Sequence, residues 1–172
     1  MARALRYKCI GYGVMVLFCY LLQTASSSPA RTLGQVPELM LLMTLAVSFR
    51  ESEVFAGWFG LICGFLSDLA AGGSVGLRAV FFMFLAYFLA VALQTLFRPL
   101  FLSYVGIALT ASALISVAEY LFYILLHGQI DFVSALVHTM LPRLFLTGVW
   151  SYVIYYAVYR YNLSLQRKGV IY

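Results

Sequence analysis

The sequence predicts an all-α membrane protein, a polytopic helical bundle of about six spans, and three observations carry that expectation. Of its 172 residues 64% are apolar and only 10% charged, with a mean hydropathy of +0.96. A soluble domain carries roughly 25% charged residues to cover its outside. The apolar residues also run continuously over membrane-spanning lengths, where barrel strands alternate at every second position. Finally, the runs are separated by short connections rich in helix breakers: Ser26-Ser27-Ser28-Pro29, Gly72-Gly73, Arg98-Pro99 and His127-Gly128. The same composition excludes other classes. Three cysteines cannot frame a disulfide scaffold, and the eleven Lys and Arg are scattered, so no nucleic-acid partner is expected.

Six spans follow in order, over 9–25, 33–49, 54–71, 79–97, 101–126 and 132–159, forming a single integral membrane domain over 1–172. The first begins after Arg3, Arg6 and Lys8. With the Ser-rich stretch that follows it resembles a secretory signal peptide, but the next segment is itself a span and needs no separate signal. The second is interrupted by Pro37 and Glu38, and the clean apolar run after Glu38 reaches only about half a bilayer as a helix, so it starts in the headgroup region or is partly re-entrant. The third carries Asp68 near its end, the fourth no charge, the fifth Glu119, and the sixth Pro142 and Arg143. Basic residues set the orientation. With six spans and a cytoplasmic N-terminus, Arg3, Arg6, Lys8, Arg50, Arg98, Arg160, Arg167 and Lys168 lie inside, Arg31 and Arg78 outside, and Arg143 within the membrane. Both termini are therefore expected in the cytoplasm, and the net charge of +5 reads as anchoring to the membrane surface.

Ionisable groups at membrane depth are expensive, so Asp68, Glu119 and Arg143 are the candidate site residues. On a helical wheel Gly57, Gly60, Gly64 and Asp68 share an arc of about 80°, which offers a neighbouring helix a close approach with a carboxylate at its outer end. Ala108, Ser112, Ser116, Glu119 and Tyr123 form a second small and polar stripe. Arg143 is expected to pair with Glu119 across the hairpin of spans five and six, with Asp68 as the competing partner, and Pro142 to kink span six beside it. Helix packing is the first reading of these charges, with ligand transport and partner binding as alternatives. No catalytic, cofactor or metal site is expected. Gly72-Gly73-Ser74-Val75-Gly76 has the letters of a nucleophile elbow but joins two membrane helices, not a strand and a helix. His127 and His138 lack ligand-spaced companions.

One stretch goes beyond composition. Over 59–79, Gly60, Gly64, Asp68, Gly72 and Gly76 fall on a Gly-x-x-x-Gly-Leu-x-x-Asp run followed by a glycine-containing turn, which resembles the signature of the MreD family of bacterial rod shape-determining membrane proteins. Phe65 stands where that family usually has Leu. The resemblance implies a non-enzymatic inner-membrane component of the elongation machinery for peptidoglycan. Its implied partners, besides membrane lipids, are an MreC-like protein, MreB-like filaments, a RodA-like glycosyltransferase and a class B penicillin-binding transpeptidase. It also implies a fold similar to the substrate-binding S-components of energy-coupling-factor vitamin transporters, and from that likeness comes the alternative function of a small-molecule binding membrane subunit. Under the shape-determining reading Gly64→Leu damages the fold. Phe82 and Phe88 of span four, by contrast, belong to a lipid-facing docking surface where truncation leaves folding intact.

Overall fold

A chain surrounded by lipid must satisfy each backbone amide and carbonyl within itself, and continuous apolar runs do so as helices. The computed structural model of the protein describes residues 2–25, 36–71, 76–95, 101–127 and 141–167, with side chains over 8–25, 36–71, 76–93, 101–121 and 141–165. Among these residues there are six α-helices and no strand: α1 (Ala2–Thr24), α2 (Leu39–Ser48), α3 (Glu53–Ala71), α4 (Leu77–Thr95), α5 (Phe101–His127) and α6 (Leu141–Arg167). By length and composition α3 and the Phe101–Leu121 part of α5 can each cross a membrane.

The bundle is built around the shortest of the described helices. All ten residues of α2 are buried, and α2 touches each of the other five helices. Leu39, Met40, Leu41, Leu42, Leu45 and Val47 have no measurable exposure. Ten residues span about 15 Å, half the hydrocarbon thickness. Side chains from elsewhere satisfy amides at the start of the helix, where the first turn leaves them orphaned. The Glu38 amide donates to Thr147 Oγ1 at 3.4 Å, and the Met40 amide to Gln23 Oε1 at 3.4 Å. From α5, the buried Tyr104 hydroxyl donates to the Leu42 carbonyl at 2.9 Å. Thr44 and Ser48 spend their hydroxyls on carbonyls four residues back in α2 itself.

α3 and α4 form an antiparallel hairpin whose closeness is set by two glycines. A Cβ at Gly60 would lie 2.5 Å from the Phe82 carbonyl oxygen, and one at Gly64 would lie 2.5 Å from both Ala79 Cα and the Arg78 carbonyl oxygen. At Gly57 the nearest atom, Tyr87 Cβ, is an ordinary 3.6 Å away. The expected glycine face is thus a backbone-to-backbone contact at Gly60 and Gly64 and looser at Gly57. α5 and α6 pack alongside, with Ala108, Ser112 and Ser116 of the small stripe all buried.

One expectation requires correction. Phe82 is 1% exposed and belongs to the core beside α2, so it is no part of a docking surface, while Phe88 is 62% exposed. On a helix that is apolar all round, hydropathy does not distinguish the protein-facing side from the lipid-facing one. Pro142 is the second described residue of α6, and the segment before Leu141, where a kink of span six would show, lies outside the described residues. Gly72 with the turn through 75, the side chain of Tyr123, and His138 lie outside the described residues.

Candidate functional site

Asp68 lies in the last turn of α3, 3% exposed, and its carboxylate closes the start of α4. Oδ2 accepts from the Gly76 amide at 2.7 Å and the Ala79 amide at 3.3 Å, and Oδ1 from the Arg78 amide at 3.3 Å. These are N-terminal amides of the kind a helix leaves unpaired, and the negative charge also complements the helix dipole. Gly76 makes the turn with φ +109°, a left-handed conformation that favours glycine. Asp68 is therefore a helix cap and not the partner of Arg143.

Because its backbone is held there, the Arg78 side chain is directed inward, where it is 11% exposed. Nη1 donates to Ser67 Oγ at 2.9 Å, while Nε and Nη2 meet Glu119 Oε1. The other oxygen of Glu119 accepts from Arg143 Nη1 at 2.9 Å. Arg143 Nη2 forms an ion pair with Glu38 Oε1 at the head of α2, and Glu38 is 3% exposed. Neither Glu38 oxygen has a well-aligned hydrogen-bond donor among the described residues. Two guanidinium and two carboxylate groups sum to zero charge, and with Ser67 they tie the start of α2 to α3, α4, α5 and α6. The expected Arg143–Glu119 contact is present as part of this larger network.

A second polar node lies at the other end of α2. Lys8 Nζ of α1 donates to both Glu51 oxygens at 2.9 Å, and the Tyr12 hydroxyl bonds Glu51 Oε1 at 2.8 Å and Asn162 Oδ1 of α6 at 3.1 Å. Asn162 Nδ2 in turn donates to the Val158 carbonyl at 3.2 Å.

Sequence reasoning missed Glu38 and Arg78 in the first node and Lys8, Glu51, Tyr12 and Asn162 in the second. Glu38 did carry a signal, being an acidic residue directly before an apolar run, but it reads as an interruption. Arg78 reads as a loop charge, although its place in the first turn of α4 lets the side chain fold back into the bundle. Among the described residues no three His, Cys, Asp or Glu side chains converge on a common point. The chemistry of both nodes is charge pairing between helices.

Residues 7–164, a stretch that contains each member of both nodes, match the family model of the rod shape-determining protein MreD. The chain belongs to the MreD family. No curated protein and no solved structure gives a significant match. The likeness to energy-coupling-factor S-components therefore rests on the family resemblance alone. As an MreD family member the chain is a rod shape-determining membrane protein. Its Gly60, Gly64, Asp68 and Gly76, the signature residues described, build the hairpin that delivers Arg78 to the network.

Proposed function

We propose that this MreD family member is a non-enzymatic scaffold of the bacterial inner membrane, multi-pass with both termini cytoplasmic, that supports lateral peptidoglycan synthesis by holding the elongation machinery together. In this reading it acts with an MreC-like protein and, through it, with MreB-like filaments, a RodA-like glycosyltransferase and a class B penicillin-binding transpeptidase. Gly57, Gly60, Gly64, Asp68 and Gly76 shape the hairpin, and Glu119 and Arg143 fasten it to the rest of the bundle. The observation that supports this most is how the charges are used: Arg78, Glu119, Arg143 and Glu38 are occupied with one another. The outer surface meanwhile presents aromatic and aliphatic side chains such as Trp58, Phe88 and Phe145. A rigid neutral interior with an apolar exterior suits a protein that docks others within the membrane plane.

The test is co-purification with the MreC-like partner beside complementation of a shape-defective strain. Loss of both on Phe88→Ala, with unchanged thermal stability, supports docking through that face; partner yield unaffected by any exposed aromatic substitution overturns it. For the topology, a cysteine placed at Ser164 should be labelled only from the cytoplasmic side.

A second reading has one observation in its favour. Among the described residues the fully buried Ser112 hydroxyl lacks a hydrogen-bond partner, as a group facing a bound guest does, while the buried Glu38 has only its ion pair with Arg143. Vitamin uptake by vesicles containing this protein and an energising module, with no retained partner, selects that reading.

A further inference from the structure

A cavity of about 330 Å³ opens at the C-terminal end of α2, lined by Ser48, Phe49, Arg50, Glu51 and Ser52 together with Ala90 and Leu93 of α4. One side of this lining is polar and cationic, the other aliphatic. Arg50 is exposed, and its guanidinium lies 4.8 Å from the centroid of the Tyr159 ring. No carboxylate lies within ion-pair distance of it among the described residues, whereas the neighbouring Glu51 is neutralised by Lys8 and Tyr12. The cavity therefore carries one uncommitted positive charge. Its level in the membrane is marked by the tyrosines of α6. Tyr152 stacks on Tyr156 and Tyr155 on Tyr159, a ladder of the kind found where headgroups meet acyl chains.

We propose that this cavity seats an anionic phospholipid, with the phosphodiester on Arg50 and the Ser52 hydroxyl and the upper part of an acyl chain along Ala90 and Leu93. Charge complementarity chooses the headgroup. An arginine fork already oriented by a ring face offers several N–H donors to a phosphate. The apolar wall of α4 chooses a lipid over a free anion, because a soluble phosphate gains nothing from Ala90 and Leu93.

Arg160 provides the matched control. It is also exposed on the same stretch of α6 and lies 5.6 Å from the centroid of the Tyr156 ring, but it does not line the cavity. The experiment measures lipids retained by the purified full chain, by native mass spectrometry, after exchange into nanodiscs of equal phosphatidylglycerol and phosphatidylcholine. The expected result is selective retention of phosphatidylglycerol, weakened about tenfold by Arg50→Gln, as the loss of one charged hydrogen bond implies, and unchanged by Arg160→Gln. Equal weakening by the two variants shows a diffuse basic surface and overturns the site. So does retention that does not distinguish the two lipids. Inorganic phosphate that displaces the retained lipid at millimolar concentration overturns the lipid assignment in favour of a free-anion site. Because Arg50 is exposed and outside both charge nodes, wild-type thermal stability of Arg50→Gln separates lost binding from lost folding.

Discussion

Each end of α2 is closed by a glutamate, Glu38 at one and Glu51 just beyond the other, and the two are held in different ways. Glu51 receives a lysine and a phenol from the same helix, α1, so either donor can be lost while the other remains. Glu38 depends on Arg143 alone among the described residues, and Arg143 is simultaneously committed to Glu119, which is committed to Arg78. One end is redundant and local. The other is a chain of single links through five helices, most buried at Glu38, where removing one group strands charges on several elements. At Glu38, 3% exposed, a charge left unpaired has little water to turn to.

The comparison is broken or sharpened first by Arg143→Leu, which leaves Glu38 and Glu119 facing each other without their shared cation. Its expected cost is about 3–5 kcal/mol, against about 1 kcal/mol for Lys8→Ala at the redundant end. Thermal unfolding in detergent checks both, and equal losses would show that the two ends are equivalent. Restoration of part of the Arg143→Leu deficit by adding Glu38→Gln would confirm that the stranded carboxylate is the source of the cost.

Next in size is Gly64→Ala, expected to destabilise by about 1–3 kcal/mol, since the new Cβ must move the backbone that carries Arg78. Gly57→Ala, with open van der Waals distance, should stay within about 0.5 kcal/mol. A matching loss at Gly57 would mean that the whole glycine face, and not the end next to the network, carries the hairpin.

Asp68→Leu removes the cap on α4 and should cost about 1–2 kcal/mol, with Asp68→Asn retaining most of the stability because its amide oxygen still accepts from the turn. Equal complementation of a shape-defective strain by both variants would show the carboxylate to be dispensable. A modest effect is expected from Tyr12→Phe, about 0.5–1.5 kcal/mol, because Lys8 still holds Glu51. A larger loss there than for Lys8→Ala would show that the phenol, and not the lysine, holds Glu51.

What could be read from the sequence follows the range of each interaction. The glycine stripe and Asp68 lie on one helix, and Arg143 with Glu119 on two helices that follow one another among the described residues, so spacing along the chain was enough to suggest them. Glu38 with Arg143 and Lys8 with Glu51 join elements that are not chain neighbours, and no periodicity announces such a meeting. Phe82 was misplaced for a different reason. In water a helix shows its buried side by being polar on the other, but α4 is apolar on both, so sorting core from lipid-facing residues needs the packing itself. The short apolar run after Glu38 signalled an atypical second segment, and its meaning, a helix enclosed on every side by protein, emerges only once five neighbours surround it.

That enclosure has a consequence for how the protein is made. An insertion machine that releases segments sideways into lipid favours a segment when it is long enough to replace the lipid core and free of charge at its edges. α2, with ten residues and a glutamate directly before it, meets neither condition, so its membrane residence has to be granted by helices already in place. Placed alone between glycosylation reporters, α2 should fail to integrate, and it should integrate only when α1 and α3 to α6 are present. With that outcome, synthesis of this protein passes through a ring of helices with an unfilled centre, and the apolar core segment α2 is the last to find its solvent.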